Sequence, residues 1–383
     1  MLPRSIYNEE QLLFKQSVKE IVAKEIIPFN AQWEKDKQVS RESWLKMGEA
    51  GLLCLQVPEE YGGMGITEFR YNAIVSEEIA LSGCAGPAIS YPLHSDIVTP
   101  YILDFGSTFL KEKYLPKMVT GEYISAVAMT EPAAGSDLQG MRATAVDQGD
   151  FYLVNGSKTF ITNGYIADIY VVALKTDSSL GAKGISLFLM ESTMPGFTKG
   201  KPFEKAGLHA QDTCELFFED VKVPKENLIG ELGKGFSYLM KELAQERLVV
   251  GLGAIGAAES VLAVTIQYCK DRIAFGKSIS ELQNTRFKLA EMATKVSVGR
   301  AYADRCVELH CEKKLDSAMA SAAKLYLSEI QCEVADECVQ LHGGYGYIWE
   351  YQAARAWADA RVQRIYAGTN EIMKELIARS LLA

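Results

Sequence analysis

Apolar residues recur at helical spacing through the first 120 residues of the chain. Leu12, Leu13, Val18, Ile21 and Val22 form a stripe that predicts a helix over 9–27, with Pro28 ending it. Ser40 is placed to cap a second helix in which Trp44 and Leu45 face inward and Gly51 supplies the stop. VPEEYGGMG reads as a loop, and helical patterning returns over 68–82 and 108–120. The texture then changes. FYLVNGSKTFITNG, IYVVALKT, GISLFLME and CELFFEDVKV are rich in β-branched and aromatic residues, and turn dipeptides such as Asn155-Gly156 and Asn163-Gly164 divide them into short strands. Long helical patterns resume over 235–270, 280–312, 316–342 and 351–382, and the short joints between the last three predict antiparallel packing. The expected organisation is α+β and multidomain: an N-terminal all-α domain (1–122), a middle β-barrel-like domain (123–233) and a C-terminal four-helix bundle (234–383).

Composition narrows the function classes. With 383 residues, 48% of them hydrophobic, the chain can bury a large core in two or three domains. A net charge of -9 argues against nucleic acid as a partner, because phosphate binding wants a basic surface. The eight cysteines form no CxxC pair and there are only four histidines, so neither a metal site nor a disulfide framework is expected. The longest apolar run, Leu248 to Val264, is interrupted by Gly251, Gly253, Gly256 and Glu259, and no transmembrane segment is expected. MLPRSIYNEEQLLF carries neither a signal-peptide core nor an Arg/Ser-rich presequence, which gives a cytoplasmic location as the expectation. The spacing of Gly251, Gly253 and Gly256 matches a dinucleotide fingerprint, yet the apolar run before it is only LVV and KELAQER upstream reads as helix. The glycines are read instead as close contacts between packed helices.

Five longer segments carry more information. AMTEPAAGSDLQG (128–140), KTFITNG (158–164), DRIAFGKSISELQ (271–283), QLHGGYGYIWEY (340–351) and ARVQRIYAGTNEIMKELIAR (360–379) resemble, in order and spacing, signatures of the acyl-CoA dehydrogenase family. ELFFED, MKELAQERL and EKKLDSA are similar to its long-chain branch. The resemblance implies FAD as cofactor, oxidation of an acyl-CoA thioester to a trans-2-enoyl-CoA, an electron-transferring flavoprotein as acceptor, and a homotetramer. It also implies that Met129, Thr130, Gly135 and Ser136 lie along the flavin, Ser136 also near the CoA arm, with Phe160, Ile161 and Thr162 on the flavin's other side. On residue type alone, Phe160 reads as readily as a strand core residue. Arg272 suits a diphosphate, and the resemblance sets its region across a subunit interface. Phe275 and Gln283 fit adenine or ribose, while Gln340, Gly343 and Gly344 let backbone N–H groups approach the cofactor's phosphates. Gly368, Thr369 and Glu371 follow as flavin or adenosine neighbours.

Such a reaction needs a base for the α-proton and a hydride acceptor on opposite faces of the substrate, with donors aimed at the thioester oxygen. In IYAGTNEI this chain has Ala367 where the family usually carries its glutamate base. In the long-chain and isovaleryl branches the base is a glutamate that precedes an arginine on the first long C-terminal helix, which here is Glu246-Arg247. Leu243, Val250 and Gly251 predict that this helical face is buried, so the Glu246 pKa should be raised toward neutrality. The resemblance sets Arg247 near the CoA or the pocket entrance, and Ala244 departs from members that contact CoA through an acidic residue there. The resemblance implies that a flavin ribityl hydroxyl and the backbone N–H at Ala367 donate to the thioester oxygen, with Gly368 beside it, and alanine keeps that N–H, whereas Glu371 sits on another turn. The leading reading is dehydrogenation of medium- to long-chain acyl-CoA. The alternatives are a short branched-chain, isovaleryl-like substrate, or a non-enzymatic flavoprotein scaffold in which Glu246 turns away from the flavin.

Overall fold

The computed structural model describes residues 2–382. Seven α-helices form the N-terminal part: α1 (Glu9–Glu25), α2 (Asn30–Asp36), α3 (Arg41–Glu49), α4 (Arg70–Leu81), α5 (Ala85–Pro92), α6 (Thr99–Phe105) and α7 (Thr108–Val119). Helix α1 starts in a capping box: Asn8 Oδ1 accepts from Gln11 N at 2.9 Å, and the Gln11 side chain accepts from Asn8 N at 3.1 Å. Its buried line is Gln11, Val18 and Val22, facing α4, while Leu12 and Leu13 are 53% and 72% exposed. The predicted stripe was too wide, because only residues in register with that line reach α4. Ser40 caps α3 and Trp44 is fully buried, but Leu45 points out. Helices α5 and α6, joined by a π-helical segment over Leu93–Val98, escape sequence reading because Pro87, Pro92 and Pro100 look like breakers.

The middle part is a mixed sheet of β1 (Ser125–Ala128), β2 (Thr144–Asp147), β3 (Phe151–Thr162), β4 (Ile169–Lys175), β5 (Ile185–Glu191), β6 (Phe197–Lys199), β7 (Thr213–Pro224) and β8 (Leu228–Ile229). Its order is β6-β7-β3-β2-β4-β5-β8, with β1 running parallel to β4. Among the described residues the end strands β6 and β8 do not pair, so the sheet is open rather than barrel-like. Asn155-Gly156 does not turn the chain: β3 runs through it as a bulge opposite β7, with Gly156 at φ +139°. The Asn155 and Asp220 side chains close that bulge, Asn155 Nδ2 donating to Asp220 Oδ1 at 2.9 Å. Asn163-Gly164 is the turn expected, with Asn163 at φ +58°.

The C-terminal part contains α8 (Gly235–Asp271), a two-stranded hairpin of β9 (Ile273–Ala274) and β10 (Lys277–Ser278), α9 (Gln283–Cys311), α10 (Ser317–His342), α11 (Gln352–Ala360) and α12 (Asn370–Leu382). The pattern over 351–382 is therefore not one helix, since the chain breaks between α11 and α12. Gly251, Gly253 and Gly256 lie inside α8 without interrupting it, but Gly253 is not a helix contact, since a Cβ there would meet no atom within 4 Å. A Cβ on Gly251 would meet Leu327 of α10 at 3.0 Å, and one on Gly256 would meet Ala80 of α4 at 2.8 Å. Small residues are needed at both crossings. By length and composition α8 could cross a bilayer, but 67% of its most apolar window is buried inside the protein. The N-terminal helices share one core with the sheet, and a second core among the C-terminal helices also takes in Ile6, Phe69 and Ala73 from the N-terminal part.

Candidate active site

Glu246 lies on the buried face of α8 and is only 5% exposed. Tyr101 of α6 donates its phenol hydrogen to Glu246 Oε1 at 2.5 Å. Burial pushes the Glu246 carboxyl up to about 7. The Tyr101 hydrogen bond pulls the other way, and the charge of Glu242 adds to the rise. Glu242, one turn earlier on the same face, is also buried and raised to about 7 by burial, and its Oε1 has no hydrogen-bond partner. Neither carboxyl is a solvated helical glutamate. Sequence reading missed Tyr101 because one tyrosine inside TPYILDF has no pattern to mark it. Arg247, adjacent to Glu246, points elsewhere: its Nη1 donates to Ser317 Oγ at 2.9 Å and to Ser321 Oγ at 3.2 Å on α10.

The turn before α12 supplies a second group. Ala367 and Gly368 both adopt left-handed conformations, at φ +53° and +87°. Among the described residues, the N–H groups of Ala367 and Gly368 have no hydrogen-bond acceptor. Successive free N–H groups in this geometry, just ahead of a helix N-terminus, favour negative charge. Thr369 caps α12, its Oγ1 accepting from Ile372 N at 3.3 Å. Glu371 is exposed, and its carboxyl is held below the usual range by its own backbone N–H and by the Thr369 hydroxyl. An acidic, solvated carboxylate of this kind is a poor base.

A third group lies at the sheet. Glu131 is buried and accepts from Arg142 N at 2.6 Å, Ala143 N at 3.0 Å and Lys158 Nζ at 2.7 Å. Lys158, fully buried on β3, also donates to Met129 O at 3.1 Å, while Thr159 N donates to Thr130 O at 2.9 Å. The loop bearing Met129, Thr130, Gly135 and Ser136 is thus braced against the strand bearing Phe160. Phe160 is not core: it is 67% exposed at φ +58° on a β-bulge, a strained and unprotected setting for a large aromatic. Ile161 is buried, so only its backbone can face a ligand, and Thr162 is half-buried. Gly135 and Ser136 are exposed.

A fourth group forms an open cleft of about 590 Å³ between the end of α8 and the end of α10, lined by Tyr268, Arg272, Gln340, Gly343, Gly344 and Tyr345 among others. Arg272 stands 5.7 Å from the Tyr345 ring centre. Phe275, at the tip of the β9–β10 hairpin, is 92% exposed at φ +53°, and Gln283 opens α9. Neither lines the cleft, and no middle-domain residue does. Within one chain the expected cofactor residues therefore fall into separate groups. Their chemistry fits FAD. A Cβ on Gly135, Gly343 or Gly344 would meet no atom of the chain within 4 Å, leaving room for a ligand against bare backbone. Phe160 offers an uncovered ring face and Arg272 a fixed positive charge.

Three family models match in chain order: acyl-CoA dehydrogenase N-terminal domain over 8–122, middle domain over 126–221 and C-terminal domain over 233–382. The mitochondrial long-chain specific acyl-CoA dehydrogenase of Sus scrofa is 51% identical over 381 residues, covering 99% of this chain and 88% of its own length. A solved acyl-CoA dehydrogenase from Geobacillus kaustophilus superposes with a TM-score of 0.95 at 51% identity, covering 98% of each chain. One from Bacillus anthracis, solved with FAD, has a TM-score of 0.91 at 32% identity, covering 98% of this chain and 68% of that one. The cytoplasmic expectation is overturned, because the pig protein and its mouse and rat counterparts are mitochondrial. Compartment is carried by targeting, which the catalytic fold does not encode. With the three models matching along nearly its whole length, a relative half identical from end to end, and glycine cradles open for FAD, this chain belongs to the acyl-CoA dehydrogenase family of flavin-dependent oxidoreductases.

Proposed function

We propose that the protein dehydrogenates medium- to long-chain acyl-CoA thioesters to trans-2-enoyl-CoA with Glu246 as the base. One observation carries this: at Ala367 no side chain can accept a proton, while on α8 a carboxyl buried beside Tyr101 has its pKa raised to about 7. Glu246 takes the α-proton as H⁺ on Oε2, Oε1 being occupied by the Tyr101 hydroxyl. Bound FAD supplies the acceptor for the hydride leaving Cβ. The free N–H of Ala367 donates to the thioester oxygen as enolate-like charge builds there. One such oriented donor is worth on the order of 3 kcal/mol in an acyl-transfer site. Ser136 contacts the CoA side of the substrate, whereas Arg247, buried and held by Ser317 and Ser321 of α10, stays behind the Ala367–Gly368 turn and not at the pocket entrance. Met129, Thr130, Gly135, Phe160 and Thr162 hold the flavin ring. Arg272, Phe275, Gln283, Gln340, Gly343 and Gly344 hold the adenosine diphosphate, and Gly368, Thr369 and Glu371 border the cofactor.

A homotetramer is part of the same proposal. It is supported by the separation of the cofactor residues into groups on one chain and by the bare Phe275 and Tyr347 side chains beside the cleft. An electron-transferring flavoprotein takes the electrons onward. The domain limits proposed are 1–122, 123–233 and 234–383.

The test is anaerobic bleaching of the flavin by straight and branched acyl-CoAs of graded length, on wild type and on Glu246→Gln. Wild type should bleach best with medium or long straight chains, and Glu246→Gln with none. A variant that reduces as fast as wild type would remove Glu246 from the role. A wild type bleached only by short branched substrates would move the protein to the isovaleryl-like reading.

A further inference from the structure

Beneath the Ala367–Gly368 turn lies a lysine that nothing in the sequence marks. Lys324 of α10 has no solvent-exposed surface. Its Nζ donates to Gly368 O at 2.8 Å and to Asn370 Oδ1 at 2.9 Å. Asn370, also buried, donates from Nδ2 to Ser328 Oγ at 3.0 Å and to Glu329 Oε1 at 2.9 Å, tying the start of α12 back to α10. One turn before Lys324, Ser321 takes the Arg247 guanidinium, whose Nε has no partner. Two buried cations therefore stand side by side on this face of α10. Among the described residues, neither has a carboxylate oxygen within ion-pair distance.

Burying an ammonium without a counter-ion costs free energy, and so does holding two successive residues left-handed when one of them is alanine. A structure retains such features when the surroundings over-determine them. The bond from Lys324 to Gly368 O acts in this way. Without it, the turn loses the one strong donor seated on its carbonyl, and Ala367 can relax toward ordinary backbone geometry. Burial lowers the Lys324 pKa to about 8, with Arg247 adding to the fall and Glu371 opposing it, so the ammonium stays mostly charged at neutral pH.

We propose that Lys324 is a positioning residue for the dehydrogenation: it locks the left-handed turn so that the Ala367 N–H is fixed as donor to the thioester oxygen. The proposal rests on the reading that this N–H binds that oxygen. Negative charge building on the oxygen would then meet an aligned donor backed by two buried cations. The family base can be lost from position 367 without disturbing this arrangement, because Lys324 grips the backbone and not the side chain.

The test uses the FAD-loaded enzyme and 3-ketodecanoyl-CoA, a thioester whose α-carbon ionises readily and whose bound enolate is read by near-ultraviolet absorbance. Wild type, Lys324→Met and Lys324→Gln are titrated from pH 6 to 10, with FAD content and the KM for a saturated acyl-CoA measured alongside. Losing a charge-assisted bond should raise the half-enolisation pH by about one unit and lower kcat about tenfold. FAD content and KM should stay within about threefold of wild type, and Lys324→Gln, which keeps an N–H donor, should fall between. Should Lys324→Met fail to yield soluble holoenzyme, Lys324→Gln decides alone. Variants that enolise the ligand at the wild-type pH with unchanged kcat overturn the proposal while leaving the dehydrogenase reading intact. A wild type that neither bleaches with acyl-CoA nor enolises the ketoacyl ligand overturns both.

Discussion

Replacing Tyr101 by phenylalanine removes one hydroxyl from a buried pair and leaves the ring's packing in place. That hydroxyl lies 2.5 Å from Glu246 Oε1 and stabilises the ionised carboxylate more than the neutral acid. A hydrogen bond to a charged group contributes about 1.5–3 kcal/mol, and 1.36 kcal/mol is roughly one pKa unit, so the Glu246 pKa should rise by roughly one to two units. Starting from about 7, the acid limb of kcat/KM against pH should move to roughly 8–9. At pH 7 the ionised fraction falls from about a half to somewhere between roughly a tenth and a hundredth, with a matching loss of rate. The rate should recover above the new pKa. The assay is stopped-flow reduction of the flavin by a saturating acyl-CoA across pH 6–10, with kcat/KM from steady-state turnover. A uniform loss at every pH, with the limb still near 7, would refute the reasoning, because Tyr101 would then be shaping the pocket and not tuning the base. A limb that persists in Glu246→Gln would refute it as well, since the titrating group would be another residue.

Further outcomes follow from the same geometry. Gly344→Val should fold normally, since a Cβ there meets nothing in the chain, yet purify without FAD; wild-type circular dichroism with visible absorbance lost is the expected pair of readings. Glu371→Gln should leave the acid limb of kcat/KM near 7, because Glu371 borders the cofactor and is not the titrating base, and a limb that moves or vanishes would revive Glu371 as an acid–base group. Stability should depend on pH through the buried carboxyls. Asp96, Glu242, Glu246 and Asp359 are all raised to about 7 by burial. Their folded pKa lies above the unfolded value, so they favour the fold most below about pH 4 and lose that contribution as pH climbs through 7. Asp212, raised to about 6 by burial, adds to them, while His94 and His310, lowered to about 4 by burial, and His342, also lowered by burial, oppose them, three groups against five. The apoprotein Tm by calorimetry should therefore be lower at pH 7.5 than at pH 5, and the reverse order would contradict the burial of these acids.

Helix and strand texture was legible because it is local. The periodicity of α8, α9 and α10 and the β-branched density of β3, β4, β5 and β7 can each be read within one window. Misreadings came where local chemistry has two meanings. Asn155-Gly156 signals a turn and serves as a bulge, because β7 pairs on both sides of it. The segment around Pro92 went unread, and there α5 runs into a π-helical segment. Leu12 and Leu13 look like core, but α4 reaches only the line through Val18 and Val22.

The sequence by itself pointed to the order of the three regions and to the close helix contacts at Gly251 and Gly256, and its resemblance to the acyl-CoA dehydrogenase family pointed to Glu246 as the candidate base in place of Ala367. The first two rest on neighbours along the chain, the last on the family resemblance. Only the tertiary structure decided what surrounds that base and its companion turn. Tyr101 and Glu246 are 145 positions apart, and Lys324 and Gly368 are 44 apart. Whether the sheet closed, whether Phe160 was core or bare, and which lysine braced which loop were likewise settled by packing. Side-chain spacing along a helix fixes which face a residue occupies, but the identity of the group across that face is set only when distant segments are brought together.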